Sequence, residues 1–162
     1  MRFQHRPRIY CAGPYSGSGD PQVNTDTAID WADKIVDLGG DPFIPHLSHY
    51  RHARHERPYQ FWIDEDLRWL EVCDALSRFP GKSSGAENEI RVMRDTHHRP
   101  VFYDLEALKK WIVTWNLAAG LERDIWRLDM RGELSPRLNA IEESELAALR
   151  LHFNDLVKEL EA

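Results

Sequence analysis

Short apolar segments alternate with stretches of helical spacing through the first 104 residues, and this alternation constrains the fold more than any other feature of the chain. The segments that read as strands are Ile9-Tyr10-Cys11-Ala12, Pro42-Phe43-Ile44-Pro45, Asp74 to Phe79, and Pro100-Val101-Phe102-Tyr103. Parallel neighbours cannot be joined by a tight turn and need a crossover, usually a helix, so the alternation predicts a parallel sheet covered by helices.

The first helix is expected to start from Asp20 or Asn24 as N-cap and to run to about Leu38, where Gly39-Gly40 end it. Its apolar positions Ala28, Trp31, Ala32, Ile35 and Leu38 recur at helical spacing. A second helix is expected over Tyr59–Val72, with Trp62, Asp66 and Trp69 near one face, and a third carries Ala86, Ile90 and Met93 inward and reaches about His97. Residues His46 to Arg57 show no clean period and read as a long loop or an irregular helix. The expected class is α/β, a Rossmann-like, flavodoxin-like parallel sheet with helices on both faces, over residues 1–104.

Residues 105–162 read as a helical C-terminal extension, with Leu105, Leu108, Ile112 and a Trp111/Trp115 pair. Breaks are expected at Gly120 and near Gly132 to Pro136. Ile141, Leu149, Phe153, Leu156 and Leu160 then form one stripe, which suits packing on the sheet or a dimer contact.

At 162 residues the chain fits one domain with room for a core. The basic opening has too few apolar residues after it for a signal peptide, and there is no run of about 20 apolar residues for a membrane span. The expected location is the cytosol. Cys11 and Cys73 lie in apolar runs and read as buried, structural thiols. A net charge of −6 argues against a polymeric nucleic acid as the main partner. Against that background, His46 to Arg57 hold four histidines, three arginines and one glutamate, a local formal charge of +2 that favours anions.

Ligands of doubly wound folds sit beyond the carboxyl ends of the strands, which selects three loops: Gly13 to Asp20, His46 to Arg57, and Pro80 to Gly85. The first and third are rich in Gly and Ser and lead into helices, so their amides can hold a phosphate or carboxylate, although such loops are commonly just turns. Neither matches a P-loop, because no Gly-Lys-Ser/Thr follows at the required spacing, and Gly13-Pro14 is not a dinucleotide fingerprint. Glu89, one turn after Gly85, is either a solvated helix residue or a carboxylate facing the ligand; a reaction through a cationic sugar needs the latter. Glu87 reads as exposed. Asp66 lies among Asp64-Glu65-Asp66, normally a solvated face, yet paired carboxylates from different segments suit glycosidic cleavage. Tyr10 is either plain core or the holder of Glu89. His46, His49, His52 and His55 recur every three residues, but the intervening arginines and the lack of Cys or Asp among them disfavour a metal. Neither a metal nor a cofactor is expected.

Three runs of residues, Ile9-Tyr10-Cys11-Ala12-Gly13-Pro14-Tyr15-Ser16, Asp66-Leu67-Arg68-Trp69-Leu70 with Cys73-Asp74-Ala75, and Ser83-Ser84-Gly85-Ala86-Glu87-Asn88-Glu89-Ile90, resemble the nucleoside 2-deoxyribosyltransferase-like superfamily in order and spacing. Ile44-Pro45-His46-Leu47-Ser48-His49-Tyr50 and Phe79 to Gly85 are similar to an uncharacterised phage and bacterial branch of it. The resemblance covers about residues 8 to 104. It implies Glu89 as nucleophile at the sugar C1′, Tyr10 orienting it, and Asp66 as the acid that assists departure of the base. It implies phosphate contacts from Gly13, Ser16, Ser83 and Gly85, with Ser84 beside them, and a homodimer or larger assembly.

One departure bears on substrate. The nucleotide hydrolases of the superfamily commonly carry an arginine where this chain has Ser16, and the basic segment, through His46, His49 or Arg51, can supply the missing cation. The expected function is hydrolysis of a (deoxy)ribonucleoside 5′-monophosphate to free base and sugar phosphate. An N-deoxyribosyltransferase, a phosphoribohydrolase of the cytokinin-activating type and a non-enzymatic nucleotide sensor are the alternatives. Tyrosine at position 10 leans towards deoxyribose.

Overall fold

The structure is a computed structural model that describes residues 5–17, 19–134 and 140–161, with side chains described outside 127–134 and 140–143. Four strands, β1 (Arg8–Ala12), β2 (Asp41–Phe43), β3 (Ala75–Arg78) and β4 (Val101–Phe102), form one sheet in the order β2-β1-β3-β4, with every pairing parallel. The fold is therefore α/β with a Rossmann-like, flavodoxin-like strand order. The connection from β1 leads to β2 on one side and the connection from β2 crosses back past β1 to β3 on the other, so the β1/β3 boundary is the topological switch point where such folds bind ligands.

Helix α1 (Pro21–Asp37) starts from Asp20, whose side chain accepts from the Gln22 amide, and Pro21 sits at the position where a missing N–H costs nothing. Its buried Ala28, Ala32 and Ile35 follow the expected stripe. Trp31 Nε1 donates to Ser77 Oγ at 2.9 Å, which places α1 on the Ser77 face of the sheet. On the other face, Tyr10 and Ala12 of β1 and Leu76 of β3 join Leu70 and Cys73 at the end of α3 (Tyr59–Val72) and Ala86 and Ile90 of α4 (Ser84–Arg91) in one apolar cluster. Met93 completes it from a π-helical turn, Val92–Thr96, that continues α4. Alternation along β1 thus points Tyr10 at α3 and α4 and its neighbours Ile9 and Cys11 away from them. Both cysteines are free and buried.

One expectation is narrowed and one needs correction. Of the two readings of residues 46–57, a long loop or an irregular helix, the structure takes the second as far as Arg54: a 3-10 turn, Pro45–Leu47, leads into α2 (Ser48–Arg54). Helix α2 buries no residue, so it carries no apolar stripe to betray it, and side-chain bonds hold it instead: Tyr15 Oη to His49 Nδ1 at 3.0 Å, Gln22 Nε2 to Tyr50 Oη at 3.0 Å, and Trp62 Nε1 to His52 Nδ1 at 3.0 Å. Gly120 does not break its helix, for α5 runs from Leu105 to Leu134 without interruption. A lone helical glycine costs only about 1 kcal/mol relative to alanine, and the flanking Ala118, Ala119, Leu121 and Glu122 favour helix. The second expected break falls where α5 ends at Leu134, and residues 135–139 lie outside the described residues.

The chain divides into two compact units, Pro7–Lys109 and the segments on either side of it. In the flanking unit Trp111 and Trp115 rings meet at 5.1 Å, Trp115 Nε1 donates to the His5 carbonyl at 3.0 Å, and α6 (Ala140–Glu161) buries Leu156 and Leu160 of its stripe. Ile141 has its side chain outside the described residues. Among the described residues no helix is long and apolar enough to cross a membrane.

Gly81 has φ +123°, which side chains rarely adopt, and a Cβ there would run into the Pro14 ring. Gly81→Ala is expected to lower stability by about 1–3 kcal/mol, read from the shift of the urea midpoint.

Candidate active site

Three loops converge at Pro14, just past the switch point. Pro14 packs on Gly81 of the third loop and its carbonyl accepts from His46 Nε2 at 2.8 Å, which brings the 3-10 turn against the first loop. Gly13 is buried with its Cα against the Phe79 ring, so no larger residue fits there. Tyr15 is anchored through its carbonyl, which accepts from Asn24 Nδ2 at 2.6 Å, and through its hydroxyl on His49. His46 and His49 therefore sit against the first loop, while Arg51 lies further out, donating from Nη1 to Glu65 at 2.6 Å. His46 is buried, and burial pushes its pKa below the ordinary histidine value, so it holds Pro14 as a neutral ring. Ser16 is exposed on the loop.

The third loop ends in a cap. Ser83 Oγ accepts from the Ala86 amide at 3.2 Å, and the backbone bonds of α4 begin with Glu87 N to Ser83 O at 3.2 Å. The Ser84 and Gly85 amides are left at the helix start, where the dipole favours an anion. Tyr59, the first residue of α3, brings its hydroxyl to 4.0 Å from the position a Gly85 Cβ would take, and its ring is 66 % exposed. Tyr59 was not singled out from sequence; its offset of seven residues from Asp66, two helical turns on one face, was the available signal.

Glu89 stands on the inward stripe of α4 between Ala86 and Ile90, and Tyr10 Oη donates to its Oε1 at 2.7 Å. Asp66 stands on the stripe of α3 that ends in buried Leu70, and it feels the Glu89 charge. The acidic run separates by face: Asp64 is exposed and accepts from Gln60, Glu65 pairs with Arg51, and Asp66 turns inward. Glu87 is exposed, as expected.

Both inward carboxyls are densely surrounded by protein yet keep some accessible surface, the condition of a recessed group. Burial raises Asp66 to about 8, assisted by the charges of Glu89 and Glu65. Burial raises Glu89 to about 7, opposed by the Tyr10 hydrogen bond and by the Arg78 guanidinium. Between these two values Glu89 is the group that ionises while Asp66 keeps its proton. Burial and the two nearby carboxylates push the Tyr10 phenol well up, so it remains a donor.

Arg78 was also missed. It closes β3 opposite Ala12, the last residue of β1, and is 7 % exposed. Its guanidinium donates to the Phe79 and Gly81 carbonyls and lies 3.8 Å from Glu87, so it shapes the third loop while its charge favours ionised Glu89. A charged residue at the end of a strand that was expected to lie in the buried sheet was the signal.

The carboxyl pair sets a pH dependence of stability. Both folded values lie above the ordinary 3.8 and 4.5, so the folded state holds more protons between about pH 4 and about pH 8, and stability falls as pH rises through that window. Asp66→Asn removes the larger part: chemical denaturation is expected to find the variant more stable than wild type by at least about 1 kcal/mol at pH 8, with little difference at pH 4. Equal pH slopes for the two proteins would contradict the coupling.

No family model matches the chain, and no curated protein matches it either.

Proposed function

We propose that this chain is an N-glycosidase of the nucleoside 2-deoxyribosyltransferase-like type, which hydrolyses a (deoxy)ribonucleoside 5′-monophosphate to free base and sugar 5-phosphate. The observation that carries the reading is the 2.7 Å bond from buried Tyr10 to Glu89, with the Asp66 carboxyl coupled to it at the switch point of the sheet. The burial of two acids costs stability, and a mere binding module gains nothing from bearing that cost.

In this reading the sugar lies over Glu89 with its phosphate at the Ser84 and Gly85 amides, the Ser83 hydroxyl and the first loop, where Gly13 and Ser16 stand. Tyr10 engages Oε1, which leaves Oε2 to attack C1′. As the C1′–N bond breaks, its electron pair goes to the base nitrogen and the Asp66 proton follows it, so the base departs neutral. Asp66, now a carboxylate, takes a proton from water, whose oxygen attacks C1′ and releases Glu89. Asp66 with the higher value and Glu89 with the lower one match these roles of acid and nucleophile. The resemblance adds a homodimer or larger assembly, and the sequence adds the cytosol as its location. A transferase would differ only in the last step, with a second base in place of water.

The test is release of free base from a panel of nucleosides and 5′-monophosphates, with and without an added base, followed by chromatography. Release from monophosphates is expected, rising as Glu89 ionises near pH 7 and falling as Asp66 loses its proton near pH 8. Glu89→Gln is expected to lose about 10³-fold or more in kcat, Asp66→Asn about 10²-fold or more, and Tyr10→Phe about 10-fold. Exchange only in the presence of a second base would favour the transferase, and undiminished release by Glu89→Gln would overturn the mechanism.

A further inference from the structure

Helices α2 and α3 and the segment between them form an open pocket of about 440 Å³ lined by Tyr50, Arg51, Arg54, His55, Arg57, Phe61 and Trp62. None of Tyr10, Asp66, Glu89 or Ser83 to Gly85 lines it. Its walls combine guanidinium groups with aromatic faces on a chain whose net charge is −6, and side-chain contacts hold that arrangement. The Trp62 ring is fixed by donation from its Nε1 to His52 and by edge contact with Phe61 at 5.1 Å. Arg51 lies 5.1 Å from the Trp62 ring centre and Arg57 lies 5.7 Å from that of Phe61, geometries that orient a guanidinium.

The charges of the wall do not balance. Glu65 neutralises Arg51 at 2.6 Å, but among the described residues no carboxylate pairs with Arg54 or Arg57. Glu56, between them in sequence, is exposed and makes no ion pair with either among the described residues. Two uncompensated guanidinium groups match a phosphate monoester, which carries about −1.5 to −2 at neutral pH. Tyr50 and Phe61, both exposed, and the half-buried Trp62 supply aromatic surface that matches a planar ring. The volume lies within the range of small-molecule sites, roughly 300–1,000 Å³.

We infer that the α2/α3 cavity is a binding site for an aromatic phosphomonoester, with Arg54 and Arg57 on the phosphate and Tyr50, Phe61 and Trp62 around the ring. The site is separate from the Glu89 chemistry and stands or falls without it. It also gives the basic segment a role that His46 and His49, engaged with the first loop, do not fill.

The probe is phenyl phosphate, which has the ring and the dianion but no glycosidic bond to cleave. Titrated into the full chain, it is expected to shift the Trp62 indole N–H resonance in a saturable manner. Arg54→Gln/Arg57→Gln is expected to weaken binding about tenfold or more, while Glu89→Gln binds as wild type does. Inorganic phosphate and phenol, each with half of the chemistry, are expected to bind more weakly than phenyl phosphate. A Trp62 resonance that does not move, an unchanged affinity in the double variant, or inorganic phosphate binding as well as phenyl phosphate would overturn the proposal. Circular dichroism of the double variant, whose two side chains are exposed, verifies that the comparison is made on folded protein.

Discussion

A phenol and a carboxyl group, each surrounded by apolar neighbours, meet at 2.7 Å between the central strand β1 and helix α4, and much of the arrangement around them follows from that contact. Neither polar group tolerates such surroundings alone, since an unpaired buried group costs about 1–3 kcal/mol. Tyr10 can be buried because Glu89 accepts its hydrogen. Glu89 can occupy an inward position of α4 because Tyr10 and the charge of Arg78 oppose its desolvation. The bond therefore ties the register of α4 to β1, and with it the position of the helix start at Ser83 to Gly85.

That helix start matters because the loop leading to it is fixed from several directions. Arg78 grips the Phe79 and Gly81 carbonyls, Gly81 packs on Pro14, Phe79 covers Gly13, and His46 holds the Pro14 carbonyl. Gly81 and Phe79 join the loop after β3 to the loop after β1, and His46 joins the turn after β2 to it, so the three form one rim around the β1/β3 switch point. A site built in this way is preorganised: the groups that would meet an anion and a sugar are held by the sheet before any ligand arrives. Asp66 reaches the same place from α3, whose first residue, Tyr59, reaches Gly85 two turns earlier.

The sheet, its covering helices and the inward residues Ala86, Ile90 and Met93 were legible in the chain, because strand and helix periods are written in apolar positions that burial later uses. Helix α3 was readable to its last residue for the same reason. Helix α2 was legible only as one of two alternatives, since it buries nothing and is held by polar side-chain pairs that no period reveals. Gly120 misled because a local penalty of about 1 kcal/mol was set against a long run of favourable neighbours. Within the site, Glu89 stood out by its place one turn past a Gly-Ser loop. Asp66 could not be separated from Asp64 and Glu65 by composition, because the face each one takes depends on the pitch of α3 against the sheet. Arg78 and Tyr59 came to light only when strand ends and loops were brought together in space.

The central claim, that Glu89 attacks the sugar carbon, is tested most directly by trapping the intermediate. Protein mixed with a deoxyribonucleoside 5′-monophosphate, quenched in acid within the first turnovers and digested, should yield a peptide bearing Glu89 whose mass is raised by one deoxyribose phosphate, and the Glu89→Gln protein should yield none. Base release by the wild-type protein without such a mass increase, accompanied by equal release from Glu89→Gln, would contradict the account.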